Sequence, residues 1–228
     1  MDKRFWAIIG VIVVVFGGVL VVHNNNANKN GTSASSAKPT SHISGNTASK
    51  VTLVEYGDYE CPVCENYNAT VQAVQQQYKD TIKFQFRNLP LSSVHPNAFS
   101  SARAAEAADM QGKFWEMHDA LYNPTNWQEW STSSNPVPYY TAYAKQLKLD
   151  MTKFNKDFAS SAVNNRINAD LAAFAKTKQP TATPTFFLNG KYIANTKLVD
   201  GTSGQPSAEA FGKVLDAALK AAGTATTP

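Results

Sequence analysis

The only two thiols of this 228-residue chain, Cys61 and Cys64, sit in "VEYGDYECPVCENY", separated by Pro62 and Val63 alone. Three chemistries use such a pair: dithiol–disulfide exchange, half of a metal site, or a small covalent staple. A zinc site needs four ligands, and the remaining candidates, His23, His42, His95 and His118, are scattered without a second CxxC or an HxxxH. No metal is expected. A staple across so short a loop restrains the unfolded chain by only about 2 kcal/mol, less than almost any other placement. Exchange chemistry fits the spacing best.

That chemistry needs a thiolate. Pro62 suits the first turn of a helix, which puts Cys61 just ahead of the helix and Cys64 one turn inside it. Cys61 then faces unpaired backbone N–H groups and the positive end of the helix dipole, both of which favour its ionised form. Lowering a thiol pKa by two units takes about 2.7 kcal/mol, within reach of these effects together. Cys64 lies on the same side, placed to attack a mixed disulfide at Cys61.

The elements that would position the pair follow from periodicity. "KVTLVEYGD" reads as a buried strand, and Val63, Tyr67, Val71, Val74 and Tyr78 recur at helical spacing after it. "TIKFQFRNLP" alternates as a second strand and closes a β-α-β unit. Next come "NAFSSARAAEAADMQGKFWEMHDALY" and "MTKFNKDFASSAVNNRINADLAAFAK", both helical in pattern, the latter with Asp150 as its cap. Between them "NPTNWQEWSTSSNPVPYY" reads as a loop, so a helical subdomain is expected. "TPTFFLNGKYI" returns to strand with an Asn189-Gly190 hairpin signal, and "SAEAFGKVLDAALKAA" ends the chain as a helix.

Residues 5–22 carry no charge and follow Lys3 and Arg4. As a helix they would reach roughly 27 Å, enough for a bilayer core, with the N-terminus inside. The expectation is a transmembrane anchor over 1–22, favoured over a cleaved signal peptide because no small-x-small site follows. A flexible linker is expected over 23–41 and a disordered tail over 223–228, with the folded domain at 42–222. This arrangement places the domain on the extracytoplasmic side of the cell membrane, where disulfides persist. Of the net charge of +4, Asp2, Lys3 and Arg4 contribute +1, which leaves +3 spread thinly outside and gives no nucleic-acid signature.

Three stretches carry a family resemblance. "HISGNTASKVTLVEYGDYECPVCENY", "HPNAFSSARAAEAADMQGKFWEMHDALY" and "ATPTFFLNG" resemble the start of the catalytic domain, the helical insertion and the cis-proline loop of DsbA/BdbD-type thiol–disulfide oxidoreductases. The resemblance implies an α/β thioredoxin fold interrupted by a helical subdomain over about 96–178. It implies that Cys61 is the exposed nucleophile, Cys64 its buried partner and Pro184 a cis-proline beside them. Thr183 would offer its backbone to an extended substrate strand, and Glu55, six residues before Cys61, would be a buried proton-shuttling acid.

The activity implied is disulfide donation to reduced or unfolded exported proteins, with reoxidation by a membrane partner of DsbB/VKOR type. No organic cofactor is called for, because the Cys61–Cys64 disulfide carries the electrons. A reductase or isomerase of the same fold stays open, as does a tethered binding or chaperone module; a monomer is expected. Asp58 and Glu60 read as loop residues shaping the site, and His95 and His118 as structural. Val63 stands where strongly oxidising relatives carry histidine, so a less oxidising couple is implied; Ala182 stands where many have glycine, which implies a slightly altered loop.

Overall fold

The computed structural model describes residues 37–223. The anchor at 1–22, most of the linker, and residues 224–228 of the tail lie outside the described residues. Among those described, no helix is long and apolar enough to cross a membrane.

Five strands form one sheet in the order β1-β3-β2-β4-β5: β1 His42–Gly45, β2 Thr52–Gly57, β3 Lys83–Asn88, β4 Thr185–Leu188 and β5 Lys191–Ile193. β2 and β3 are parallel, joined by helix α1 Pro62–Gln77 as the crossover such a pair requires. The other pairings are antiparallel, and Asn189-Gly190 makes the β4–β5 turn with both residues at positive φ.

Alternation along the strands divides the core. Leu53, Phe84, Phe86 and Phe186 face α1 and the C-terminal helix, α8 Ala208–Ala221, which contributes Phe211, Leu215 and Leu219. Tyr56 and Phe187 point the other way, toward Phe174 of helix α7 Ser161–Lys176. Glu55 shares the parity of Leu53, so its carboxyl is carried to the α1 side.

Between β3 and β4 lie α2 Ala98–Asp109, α3 Phe114–Tyr122, α4 Pro124–Ser131, α5 Val137–Gln146, α6 Met151–Phe158 and α7. The expected insertion over about 96–178 holds these six helices. α2 is buried on most sides because Ala104, Ala105, Ala107 and Ala108 let neighbouring helices approach closely.

Four sequence expectations are corrected here. The stretch read as a loop contains α4 and the start of α5: Asn123 caps α4 through Thr125 N and Asn126 N, and the buried Trp130 anchors it. The single helix expected from Asp150 is two, because Ser160 is extended and caps a new start at Val163 N. β1 was not anticipated, and Thr40, inside the expected linker, is buried and donates from N and Oγ1 to Asp170 at 2.7 and 2.6 Å. Val63, expected in the buried stripe of α1, is 47% exposed, and Cys64 takes that place.

Candidate active site

The thiols sit where β2 hands over to α1. At Gly57 a Cβ would lie 2.5 Å from the Phe86 ring, so the chain can make its close turn there only with glycine. Asp58 then organises the loop: its buried carboxylate accepts from Glu60 N at 2.9 Å, Leu91 N at 2.8 Å and His95 Nδ1 at 2.7 Å. Trp127 Nε1 donates to Tyr59 O at 2.8 Å, and Glu60 accepts from Asn97 N at 2.5 Å. Leu91, His95, Asn97 and Trp127, from two later parts of the chain, thus help to fix the loop before Cys61.

Cys61 is the N-cap of α1, with Pro62 in its first turn and no side-chain hydrogen bond closing the cap. The first N–H groups therefore remain for the sulfur. The Cys61 pKa is lowered from 9.0 to about 6, chiefly by the hydrogen bond from Cys64, aided by Thr183 and by the N–H groups of Cys64 and Val63. Burial opposes this and is outweighed. Cys64 behaves in the opposite sense: burial first, then its bond to Cys61, push its thiol well above the ordinary value. Both cysteines are free thiols here.

The Thr183–Pro184 peptide is cis, and Cys61 Sγ lies 3.5 Å from Thr183 O. Thr183 Oγ1 is buried with no other partner among the described residues, which leaves its hydroxyl to donate to the ionised sulfur. Cys61 itself is only 5% exposed, a correction to the protruding nucleophile expected from the resemblance. Pro62 and Val63, next to it in the chain, are exposed.

Glu55 is buried at 4% exposure and has no hydrogen-bond or ion-pair partner among the described residues. Burial alone raises its pKa from 4.5 to about 8, so it holds a proton at neutral pH. It lies close enough to act electrostatically on Cys64, Tyr59 and Tyr122. The Tyr59 and Tyr122 hydroxyls are also buried without partners among the described residues, so this acid has little polar company.

The structure brings Cys61, Cys64 and Thr183 into contact, with the cis Pro184 beside Thr183 and Glu55 behind Cys64. The histidines stay outside the thiol contacts. His118 is buried among Tyr59, Phe86 and Trp115, with a pKa lowered first by burial, while His95 serves Asp58. Sequence reasoning missed that second service; its one signal was Asp58 two residues before Glu60, the spacing of an Asx turn. Among the described residues no cluster of three or more metal-type ligands occurs.

A sheet interrupted by six helices, with a dithiol at a helix start beside a cis-proline, defines a thioredoxin-type fold of the DsbA and BdbD kind. A thioredoxin family model matches residues 37–217, and the chain belongs to that family. The fold is shared with α-DsbA1 of Wolbachia pipientis, with a TM-score of 0.65 at 19% identity over 82% of this chain and 94% of that one. It is also shared with oxidised BdbD of Bacillus subtilis, with a TM-score of 0.63 at 20% identity over 81% and 97%. In sequence, the chain is 38% identical over 152 residues to Na(+)/H(+) antiporter NhaA 1 of Mycolicibacterium gilvum. That match takes in 66% of this chain but spans only 23% of the antiporter's length.

Proposed function

We propose that the protein is an extracytoplasmic thiol–disulfide oxidoreductase, tethered to the membrane by residues 5–22, that acts as an oxidase. The observation that carries the reading is the opposed pair of thiols: Cys61 ionised at neutral pH and Cys64 protonated beside a protonated Glu55.

In the oxidised enzyme a client thiolate attacks Cys61 Sγ. A client–Cys61 disulfide forms, the Cys61–Cys64 bond breaks, and Cys64 leaves as a strongly basic thiolate. Glu55 delivers a proton to it and regains one from solvent. A second client thiolate then attacks the client sulfur and expels Cys61 as a thiolate, which at pKa about 6 is a good leaving group. The client loses two electrons and gains a disulfide; the couple is reduced to one thiolate and one thiol. Thr183 offers its backbone to an extended client.

The low Cys61 pKa also favours the oxidising direction. At pH 7 it stabilises the reduced form over an unperturbed thiol by about 1.4 kcal/mol, or about 30 mV for two electrons. The reduced couple is returned to the disulfide by a membrane reoxidase. The antiporter relatives fit a domain of this kind working at a membrane surface, although ion exchange is named for those whole proteins.

Oxidative refolding of a reduced multi-cysteine protein tests the reading. The full chain in its oxidised form is expected to accelerate refolding, and Cys61→Ser to abolish the effect. A wild-type chain that suppresses aggregation yet transfers no disulfide would establish the binding-module reading instead.

A further inference from the structure

His95 touches neither sulfur, but its ring ends on a residue whose main chain meets both cysteines. Asp58 follows β2, and its carbonyl accepts from Cys61 N at 3.1 Å. Burial and then Cys61 dominate the Cys64 thiol and disfavour its ionised form; the hydrogen bond from the Asp58 N–H acts the other way. Asp58 therefore holds Cys61 through its carbonyl and aims a donor at Cys64.

The exchange gives that donor a task. When a thiolate attacks Cys61 Sγ, charge grows on Cys64, which is 1% exposed and has little contact with solvent. A hydrogen bond to a charged acceptor is roughly twice as strong as one to a neutral acceptor. The N–H thus stabilises the transition state more than either end of the step, where Cys64 is a disulfide sulfur or a protonated thiol. A donor that must first swing into place loses this advantage, so whatever fixes Asp58 matters to the rate.

The Asp58 carboxylate is enclosed and takes three donors. One oxygen accepts from Glu60 N at 2.9 Å, and the other from Leu91 N at 2.8 Å and His95 Nδ1 at 2.7 Å. The first two are main-chain groups. The third is a side chain brought from the turn after β3, where Val94 N and His95 N both donate to Leu91 O at 2.9 Å. That turn lies at the surface: Val94 is exposed, and the His95 side chain is 19% exposed. Without the ring, the second oxygen keeps a single donor. The loop then stays closed by its main-chain bonds while Asp58 gains freedom to tilt.

We infer that His95 is a positioning residue of the exchange reaction: through the Asp58 carboxylate it holds the Asp58 N–H on the sulfur of the leaving Cys64. The inference rests on the exchange reading but not on its direction, because the Cys61–Cys64 bond breaks or forms through the same step in an oxidase, a reductase or an isomerase.

Reduction of the oxidised full chain by dithiothreitol, quenched in acid and followed by mass after thiol alkylation, reads that step. One reagent thiolate attacks Cys61 Sγ and expels Cys64; the second displaces Cys61 and closes the reagent's own disulfide ring, leaving the couple reduced. His95→Ala is expected to slow this reaction by roughly three- to tenfold, the weight of a misplaced hydrogen bond to a developing charge. His95→Asn, whose amide N–H stands where the Nδ1–H of histidine does, is expected to recover at least half of the wild-type rate. Forward and reverse steps share the transition state, so the reduction potential in glutathione buffers stays unchanged in both variants. A tenfold loss carried into the equilibrium would instead appear as about 30 mV. Thiolate absorbance should still place the Cys61 pKa at about 6, because the groups that lower it are Cys64, Thr183 and Val63. A wild-type rate in His95→Ala, an asparagine variant no faster than the alanine one, or a potential displaced by the full rate loss overturns the inference. A wild-type chain whose disulfide resists dithiothreitol overturns the exchange reading and this inference with it.

Discussion

Glu55 and Glu106 are both buried in this domain, and their surroundings are opposite. Glu106 on α2 is fully enclosed and fully partnered: Oε1 accepts from His42 Nε2 at 2.6 Å and Asn88 Nδ2 at 2.7 Å, and Oε2 accepts from Arg166 Nε at 2.5 Å. Asp109 joins the same His42 and Arg166, so the group ties β1, β3, α2 and α7 together. Glu55 on β2 has no hydrogen-bond or ion-pair partner among the described residues and is left protonated beside Cys64. The first carboxylate is bound by its neighbours and holds structure. The second keeps its proton next to the Cys64 thiol, where the proposed exchange needs one. A buried acid without partners costs stability, and the site is where that cost buys chemistry.

The comparison can be broken by substitution. Glu106→Ala leaves His42 and Arg166 with Asp109 as their one carboxylate, and a loss of about 3 kcal/mol in unfolding free energy is expected from denaturant titration. An unchanged midpoint would mean that the cluster holds nothing together. Glu55→Gln goes the other way. Its folded pKa of about 8 lies above the ordinary 4.5, so the acid's contribution is complete below about pH 4.5 and is lost as pH rises toward 8. The glutamine variant should therefore be the more stable protein at pH 7, by up to about 3 kcal/mol, with the difference fading toward pH 5. Its mixed-disulfide step should also be slower. Equal stability of the two proteins at both pH values contradicts the assignment.

Two smaller effects sharpen the contrast. Cys64→Ala removes the largest cause of the low Cys61 pKa and should raise it by roughly one unit, the weight of one hydrogen bond to a charged sulfur. Cys64→Ser should keep most of the effect, and thiolate absorbance against pH distinguishes them. At the other cluster, burial lowers the His42 pKa, but its bonds to Asp109 and Glu106 outweigh this and raise it. That contribution is complete below the ordinary histidine value of 6.5 and is lost as pH rises through the higher folded value. His42→Gln should flatten this dependence at a cost of about 1 kcal/mol at pH 6.

What was legible in the sequence was local. The CPVC spacing, Pro62 at the helix start, the β-α-β order and the Asn189-Gly190 turn each depend on a few adjacent residues, and each stands where expected. The missed features depend on partners far along the chain. β1 and Thr40 look like tether by composition, and they are ordered because Asp170, 130 residues beyond Thr40, receives two of its hydrogen bonds. Glu106 reads as one polar residue in an alanine-rich helix until His42, Asn88 and Arg166 converge on it. The α4 stretch is poor in helix formers, and only the burial of Trp130 and the Asn123 cap reveal it. Val63 misled because its spacing is helical, although it lies in the first turn of α1 and is exposed. Around the thiols, Glu55 was legible by its distance from Cys61, whereas the support from Asp58 and His95 joins loops 37 residues apart.

The central claim is that the Cys61–Cys64 couple is poised to oxidise. Equilibrating the full chain with glutathione buffers at pH 7 measures its reduction potential directly. A Cys61 pKa of about 6, against about 7 in thioredoxin, predicts a value above thioredoxin's −270 mV by about 20 mV or more. A value at or below about −270 mV would contradict the account and make the protein a reductase fed with electrons from elsewhere.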